Sequence, residues 1–185
     1  MRKKEVPPKE FFDKYLSYDP EAGRFLWKDR SSNLFNAKFA GKPAGCERIN
    51  RDGTRKRVCI RIENEEYSAH VIALVMSGIG VPMDKVVDHI NRDPWDNRLC
   101  NLRLATQKQN MSNIRFKKPK SGYIGVVKLP RSNTYEARIK TGQGNASGVL
   151  SRAGFKTPEA AAIQRDIWSI KYRGEFAVLN FPRSL

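Results

Sequence analysis

The longest uninterrupted apolar stretch in this chain is only six residues, Val71 to Met76. A membrane-spanning helix needs about 18 or more consecutive apolar residues, so the sequence predicts no membrane span. The start, Met1 to Pro8, is basic, but no apolar signal-peptide segment follows it, so we expect a protein that is not secreted. With 185 residues, the chain has room for one domain or two small ones built from short elements.

The charge is strongly positive, with 35 Lys plus Arg against 19 Asp plus Glu, a net charge of +16. Charged residues make up 29% of the chain, close to the usual ~25%. The number of charged residues is therefore ordinary, and the excess of positive over negative charge is unusual. Such a surplus suits DNA, RNA or an anionic membrane surface. Residues 111–185 hold 14 basic and 4 acidic side chains, and residues 1–110 hold 21 and 15. The C-terminal part is therefore expected to be a binding module attached to something else.

Cysteine and histidine usage restricts the metal chemistry. Cys46, Cys59 and Cys100 are widely spaced and form no C-x-x-C pair, which predicts reduced thiols in an intracellular protein and no cysteine zinc site. His70 and His89 are the two histidines of the chain, so a histidine-rich metal cage is excluded. His70 lies among apolar residues and is expected to be a satisfied framework histidine.

The first seventy residues read as β-rich. Tyr18 to Trp27 has a Pro/Gly turn between two apolar ends, which predicts a hairpin. Apolar residues at 58, 60 and 62 alternate with arginine and cysteine, which favours a half-buried strand. The apolar residues that follow, up to Met76, predict a short helix that stops at Gly78.

A strand–loop–strand–helix order follows. Val86–Ile90 is a short strand candidate, the polar residues 91–101 contain a proline and predict a loop, and residues 102–104 predict a second strand. A capping box that begins at Thr106 predicts a helix that holds Asn110 in its early turns.

The C-terminal part begins with a basic linker, residues 114–121. Three strand candidates follow, at residues 123–128, 134–140 and 148–155. Thr157 with Pro158 after it then predicts a strong helix start, because Thr caps the first turn and Pro fits the first helical position. Apolar residues spaced by three and four predict the buried face of that helix: Ala160, Ile163, Ile167 and Ile170.

Asp88 and His89 are adjacent at the end of a predicted strand, and Asn101 and Asn110 follow. Hydrolysis of a phosphodiester needs a base that is neutral near pH 7, a role that suits histidine. It also benefits from a divalent cation, for which one carboxylate and one amide oxygen make a minimal site. A structural alternative remains open on the residues alone, in which Asp88 caps a turn, His89 is structural and the asparagines form turns.

These motifs resemble the HNH endonucleases of phage and mobile-intron type, over roughly Tyr18 to Asn113. The resemblance is carried by spaced elements that agree in order: Val87-Asp88-His89-Ile90-Asn91-Arg92-Asp93, Asp96-Asn97-Arg98, Asn101-Leu102-Arg103 and Gln109-Asn110, with Tyr18-Asp19-Pro20, Gly23, Trp27, Gly41, Gly45 and Ala69-His70 upstream. The fold that it implies is the ββα-metal motif, which has the strand–loop–strand–helix order described above.

The resemblance implies a role for each matching residue. His89 corresponds to the general base, and Asp88 and Asn110 to the ligands of one divalent ion, Mg²⁺ or Mn²⁺. Asn101 corresponds to the asparagine that holds the loop and positions the base. The last position is Asn110 where the family name has a histidine, a variant that the family contains, and the family's cysteine-zinc knuckles are absent from this sequence, so no structural zinc is expected. Basic residues near this region are expected to contact DNA: Arg98, Arg103, Lys117 and Lys118.

The C-terminal part resembles the Apetala/ethylene-response-factor DNA-binding domain, over Ser121 to Pro182. The matching segments are Gly122-Tyr123-Ile124-Gly125-Val126, Tyr135-Glu136-Ala137-Arg138-Ile139, Gly154-Phe155-Lys156-Thr157-Pro158-Glu159-Ala160-Ala161 and Asn180-Phe181-Pro182. That family places a three-stranded sheet, backed by one helix, in the DNA major groove. This chain departs from it in Tyr135, where Trp is usual, and in a longer polar stretch at residues 141–151. The residues expected to face the groove are Lys128, Arg131, Arg138, Lys140 and Arg152.

The sequence thus predicts an α+β protein: a β-rich N-terminal region and ββα-metal nuclease domain at residues 1–113, a linker at 114–121, and a three-stranded antiparallel sheet with one helix at 122–185. The expected activity is that of a homing-type DNA endonuclease that nicks duplex DNA as a monomer, located in the cytoplasm or nucleoid of a phage or bacterial system. Two alternatives remain: a transcription-factor-like DNA binder with a degenerate HNH region, and an RNA-binding protein.

Overall fold

The computed structural model describes residues 5–49, 53, 56–113, 119–141 and 148–182. Contacts divide the chain into two compact units, Met1–Gln107 and Lys108–Leu185. Each unit mixes short antiparallel sheets with a few helices, so the predicted α+β class is confirmed. Most of the predicted linker, with Lys117 and Lys118, lies outside the described residues.

The first unit is built from short elements around a core that several of them share. In chain order they are α1 (Lys9–Asp13), β1 (Leu16–Asp19), β2 (Arg24–Trp27), α2 (Asn33–Phe39), β3 (Cys46–Ile49), β4 (Lys56–Ile62), β5 (Glu65–Ser68), α3 (Ala69–Met76), β6 (Val86–His89) and β7 (Leu102–Ala105), with α4 (Gln107–Ser112) following. All pairings are antiparallel: β1 with β2, β3–β4–β5 in order, and β6 with β7.

The core of the first unit forms where β4 and α3 bury their apolar side chains. Ile60 and Ile62 on β4 are buried, as the predicted alternation requires. Cys59, between Val58 and Ile60, is also buried, so the strand is covered on both faces at that point, which a half-buried pattern does not indicate. The predicted helix that ends at glycine is α3, whose residues from Ile72 to Val75 are buried.

The second unit is a three-stranded sheet with one helix. Its elements are β8 (Val126–Leu129), β9 (Thr134–Lys140), β10 (Val149–Phe155) and α5 (Pro158–Arg173). The strand order is β10–β9–β8, all antiparallel, and a small core of Val126, Ala137, Ala161 and Ala162 joins sheet to helix. The predicted start of α5 is confirmed, because the backbone N–H of Ala160 donates to Oγ1 of Thr157 at 3.2 Å.

The predicted buried face of α5 is wrong. Ile163 and Ile167 are 53% and 54% exposed, whereas the helix buries Ala161, Ala162 and Arg165, among others. The small alanines allow close approach to the sheet, and the Arg165 guanidinium is satisfied by the backbone oxygen of Val178 and by its neighbouring aspartate. A hydrophobic period cannot reveal a buried arginine that tertiary hydrogen bonds satisfy.

Among the described residues, no helix combines the length and the apolar character needed to cross a lipid bilayer.

Candidate active site

The pairing of β6 with β7 places the candidate residues. His89 lies opposite Leu102, and Asp88 lies opposite Arg103. His89 is the last residue of β6, so the chain leaves the strand directly after it, and the loop between the strands closes over this end of the hairpin. Both Asp88 and Asn101 are buried, at 5% exposure each.

Asn101 fixes that loop through three hydrogen bonds. Its Oδ1 accepts from the backbone N–H of Asn91 at 2.9 Å, and its Nδ2 donates to the backbone oxygen of Asp96 at 2.8 Å. Its own backbone oxygen accepts from the N–H of Ile90 at 2.8 Å. A buried amide with these partners ties the two ends of the loop together, since leaving any of the groups unpaired would cost about 1–3 kcal/mol.

The amide that meets the His89 ring belongs to Asn97. Nε2 of His89 lies 3.2 Å from Oδ1 of Asn97, a residue only 3% exposed. Nδ2 of Asn97 donates to the backbone oxygen of Trp95 at 3.3 Å, which turns Oδ1 toward the histidine. Because an amide oxygen can only accept, Nε2 of His89 carries the proton and the basic lone pair lies on Nδ1.

The β1–β2 hairpin is hydrogen-bonded to the loop between β6 and β7. The Tyr18 hydroxyl donates to the backbone oxygen of Asn97 at 2.8 Å, and the N–H of Leu99 donates to the oxygen of Pro20 at 2.9 Å. Gly23 has φ +67°, and a Cβ there would lie 2.4 Å from the backbone nitrogen of Arg98. Both the left-handed conformation and the close approach require glycine at this turn.

Asp88 is paired with a cation. Nε of Arg103 donates to Oδ2 of Asp88 at 2.9 Å, and the two side chains are 13% and 6% exposed. The guanidinium that the sequence assigned to DNA contact thus lies against the proposed metal ligand. Among the described residues, no group of three or more His, Cys, Asp or Glu side chains is arranged to hold a metal ion. A carboxylate with one further oxygen donor still fits a weakly ligated Mg²⁺ or Mn²⁺, which keeps most of its waters.

The two histidine rings pack edge to face, with centroids 5.1 Å apart and an interplanar angle of 82°. Burial, with a smaller contribution from His89, lowers the pKa of His70 to about 3. Burial also lowers the pKa of His89, and the hydrogen bond to Asn97 opposes this shift. Nδ1 of His70 is buried without a hydrogen-bond partner among the described residues. The expectation of a satisfied framework histidine is therefore wrong for this atom.

Arg98 pairs with a neighbour in the loop. Its Nη2 and Nε lie 2.6 and 2.8 Å from the carboxylate oxygens of Asp96, and its side chain is 50% exposed. Hydrogen bonds from Arg98 lower the pKa of Asp96 to about 2. The phosphate contact expected from the sequence stays a prediction, and a phosphate at this guanidinium would have to share it with the Asp96 carboxylate.

Asn110 lies on α4, at the start of the second unit, and is partly buried. Its role as a metal ligand stays a prediction from the sequence pattern.

The basic residues of the second unit do not share one face. Cross-strand partners point to the same side of a sheet, so the register places Lys128 with Tyr135, and Arg152 with Ala137, on the side that packs against α5. Arg152 also donates to Gln164 on that helix at 3.5 Å. Arg138 and Lys140 alternate with Ala137 along β9 and therefore point to the opposite face. Arg131 is exposed in the turn between β8 and β9.

Sequence reasoning missed the contacts that Asn97 and His70 make with His89. The position of Asn97 in an Asp-Asn-Arg turn gives no sign of which side chain its amide meets. A polar residue spaced eight positions after a histidine, across a tight loop, is the signal that could have suggested the contact. For His70, which is nineteen positions before His89, no local signal exists.

Comparison with known proteins identifies the same segment. Residues 67–112 match the family model described as HNH endonuclease. A relative from Acanthamoeba polyphaga mimivirus, named "Uncharacterized HNH endonuclease L560", is 32% identical over 110 residues, which is 60% of this chain and 54% of that protein. The chain thus matches about half the length of this curated relative.

A solved structure, titled "DNA binding and cleavage by the HNH homing endonuclease I-HmuI", aligns with 92% of this chain and 91% of that one, at 14% identity and a TM-score of 0.38. The family match covers β6, β7 and α4, together with α3 before them. Residues 67–112 of this chain are therefore similar to the HNH endonuclease family.

Proposed function

We propose that this protein is a metal-dependent DNA endonuclease that hydrolyses phosphodiester bonds and holds duplex DNA with its second unit. One observation carries the proposal: Nε2 of His89 is paired with the buried Asn97 inside the segment that matches the HNH endonuclease family. The mimivirus relative is named as an HNH endonuclease, which supports the same class of activity.

His89 is the general base. With the proton held on Nε2, Nδ1 takes a proton from a water molecule, whose oxygen forms a bond to phosphorus as the bond to the 3′-oxygen breaks. The 3′-oxygen leaves as a hydroxyl by taking a proton from a solvent water molecule, and the other product carries a 5′-phosphate. Because burial lowers the pKa of His89, the ring is neutral and able to accept a proton at pH 7.

Asp88 supplies an oxygen ligand for a divalent ion, and Asn110 is proposed as the second ligand from the sequence pattern alone. When bound, Mg²⁺ or Mn²⁺ supplies positive charge next to the scissile phosphate. Arg103 holds one Asp88 oxygen at 2.9 Å, which fixes the carboxylate in position. The positive charge of Arg103 also offsets the negative charge of Asp88, so we expect weak metal binding.

The DNA-binding part of the proposal rests on charge and on the three-stranded sheet of the second unit. The face of that sheet opposite α5 carries Arg138 and Lys140, and we propose that it meets the major groove, as the resemblance to the Apetala/ethylene-response-factor domain implies. One nuclease site cuts one strand per encounter, so we propose a homing-type enzyme that nicks duplex DNA as a monomer.

The test uses the full-length protein, a pool of supercoiled plasmids with random inserts, and Mg²⁺ or Mn²⁺. We expect nicked circles with either metal, none with a chelator, and a loss of at least 100-fold with His89→Ala. DNA ligase should reseal the nicks, since it requires a 5′-phosphate next to a 3′-hydroxyl.

Lys14→Ala serves as the control, because Lys14 is exposed directly after α1 and has no part in the proposed site. Tight binding of the pool without cleavage in either metal would contradict the nuclease and support the alternative of a DNA binder with a degenerate HNH region. Cleavage by His89→Ala at the wild-type rate would remove the proposed base.

A further inference from the structure

His70 has no role in the proposed reaction, yet its ring packs against the proposed base. It is the second residue of α3, directly after β5, and its ring centroid lies 5.1 Å from that of His89 at 82°. Such edge-to-face pairs attract beyond simple burial and favour one relative orientation of the rings. His89 is therefore held on one side by the oxygen of Asn97 and on another by an aromatic ring.

A histidine is an unfavourable choice for filling a core at this point. Nδ1 of His70 is buried without a hydrogen-bond partner in the described part of the chain, which is a cost that leucine or phenylalanine would not carry. Burial lowers its pKa to about 3, so the ring is neutral at pH 7 and does not repel a proton on its neighbour through a charge of its own. The feature that the structure assigns to this residue is a flat ring in contact with the proposed base.

We propose that His70 is a positioning residue whose ring holds the His89 imidazole in the orientation that keeps Nε2 on Asn97 and Nδ1 toward the water to be activated. The ring contact does not depend on the proposed function. The consequence of this contact for catalysis rests on the proposed function. A ring that turns away from Asn97 loses the fixed tautomer, and a base that is off by a fraction of an ångström or in the wrong tautomer is slow.

The first test compares two substitutions of similar volume. His70→Phe keeps a flat ring and removes the nitrogens, and His70→Leu removes the ring. We expect His70→Leu to lower kcat for plasmid nicking roughly 3- to 10-fold, the equivalent of one lost ring contact, with KM unchanged. We expect His70→Phe to stay within about 2-fold of the wild type, because it preserves the contact.

Leu74→Val is the matched control on the same helix, since Leu74 is buried at 2% exposure in the core of the first unit. It should lower stability without changing kcat of the folded protein. The proposal is overturned if His70→Leu folds and nicks at the wild-type kcat. It is also overturned if His70→Phe loses as much as His70→Leu, because the nitrogens rather than the ring would then matter.

A second measurement does not need activity. The chain has two histidines, so ring-labelled histidine gives an NMR spectrum of only two imidazoles. In the wild type we expect an NOE between the two rings and the Nε2–H tautomer for His89; in His70→Leu, if it folds, we expect tautomer averaging at His89. Absence of the NOE, or an Nδ1–H tautomer in the wild type, would overturn the proposal. If the wild type cuts no DNA, the proposed function fails while this measurement still decides the positioning role.

Discussion

The loop between β6 and β7 and the sheet of the second unit use polar side chains in opposite ways. In the loop, Asn97 and Asn101 are buried at 3% and 5% exposure and bonded to neighbouring atoms, which leaves them no freedom to turn. On the sheet, Arg138 and Lys140 are exposed, and Arg138 also pairs with Glu136 at 2.6 Å. A reaction needs a few groups in fixed positions, whereas attraction to a polyanion needs cations that stay in water and adapt. In the proposed function, the positive charge of the sheet is where DNA is held, and the buried neutral amides of the loop lie where it is cut.

The largest expected effect is on the rate of DNA nicking, to which only the loop region should contribute a reacting group. His89→Ala should lower the nicking rate by about 10²–10⁴-fold, because it removes the general base, while DNA affinity stays within 2-fold. The measurement pairs plasmid nicking with fluorescence anisotropy on labelled duplex. A loss of affinity equal to the loss of rate would mean that His89 belongs to binding and that the two regions do not divide the work.

Arg103→Ala should cost up to about 3–5 kcal/mol in the free energy of unfolding, because it removes the guanidinium that is bonded to the buried carboxylate of Asp88. Urea unfolding followed by tryptophan fluorescence measures it. Arg98→Ala is the matched control: its salt bridge to Asp96 is half exposed, so the expected cost stays within about 1 kcal/mol. Equal costs for the two variants would show that the burial of the Asp88 pair has no energetic consequence.

Acid should destabilise the first unit through His70. In the unfolded chain His70 binds a proton below pH 6.5, but burial lowers its pKa in the folded chain to about 3. Between these values the unfolded state binds more protons, so the free energy of unfolding falls as the pH falls, by up to about 1.4 kcal/mol per pH unit for this group. Above pH 6.5 the group contributes no pH dependence.

Urea unfolding of the wild type and His70→Phe at several pH values between 7 and 4 isolates this contribution. The difference in unfolding free energy between the two proteins should grow steadily on acidification. A constant difference would contradict the burial of a neutral His70.

The smallest expected effect concerns which face of the second sheet meets DNA. Arg138→Ala with Lys140→Ala should lower the slope of log affinity against log salt concentration by about 2, since each lost phosphate contact removes roughly 0.9. Lys128→Ala with Arg152→Ala removes the same charge from the side that packs against α5 and should change the slope by less than half as much. Equal effects would indicate diffuse attraction with no preferred face.

Local signals in the sequence predicted much of this fold. Thr157 and Pro158 act within one helical turn, and the N–H of Ala160 donates to the Thr157 hydroxyl as expected. The β6–loop–β7 order followed from short apolar runs around a polar stretch with proline. The face of α5 could not be predicted in the same way, because Arg165 is buried through bonds to Val178 and Asp166, and the first of these partners is distant in sequence.

The same difference between local signals and tertiary contacts applies to the candidate site. Asp88 and His89 could be identified because they are adjacent in sequence and lie in a recognisable motif. The side-chain partners of His89 could not, because the loop geometry that brings Asn97 to Nε2, and the packing that brings His70 to its ring, depend on the register of two strands and on the position of α3. Side-chain contacts of this kind are set by tertiary structure, which residue spacing does not encode.

His89, held by Asn97, is the proposed base of a DNA-cutting site. The most direct test of this role is single-turnover nicking of the plasmid pool in Mg²⁺ by wild type, His89→Ala and Asn97→Ala, each shown to be folded by circular dichroism. We expect chelator-sensitive nicking by the wild type, almost none by His89→Ala, and an intermediate rate for Asn97→Ala. Nicking by folded His89→Ala at the wild-type rate would contradict it.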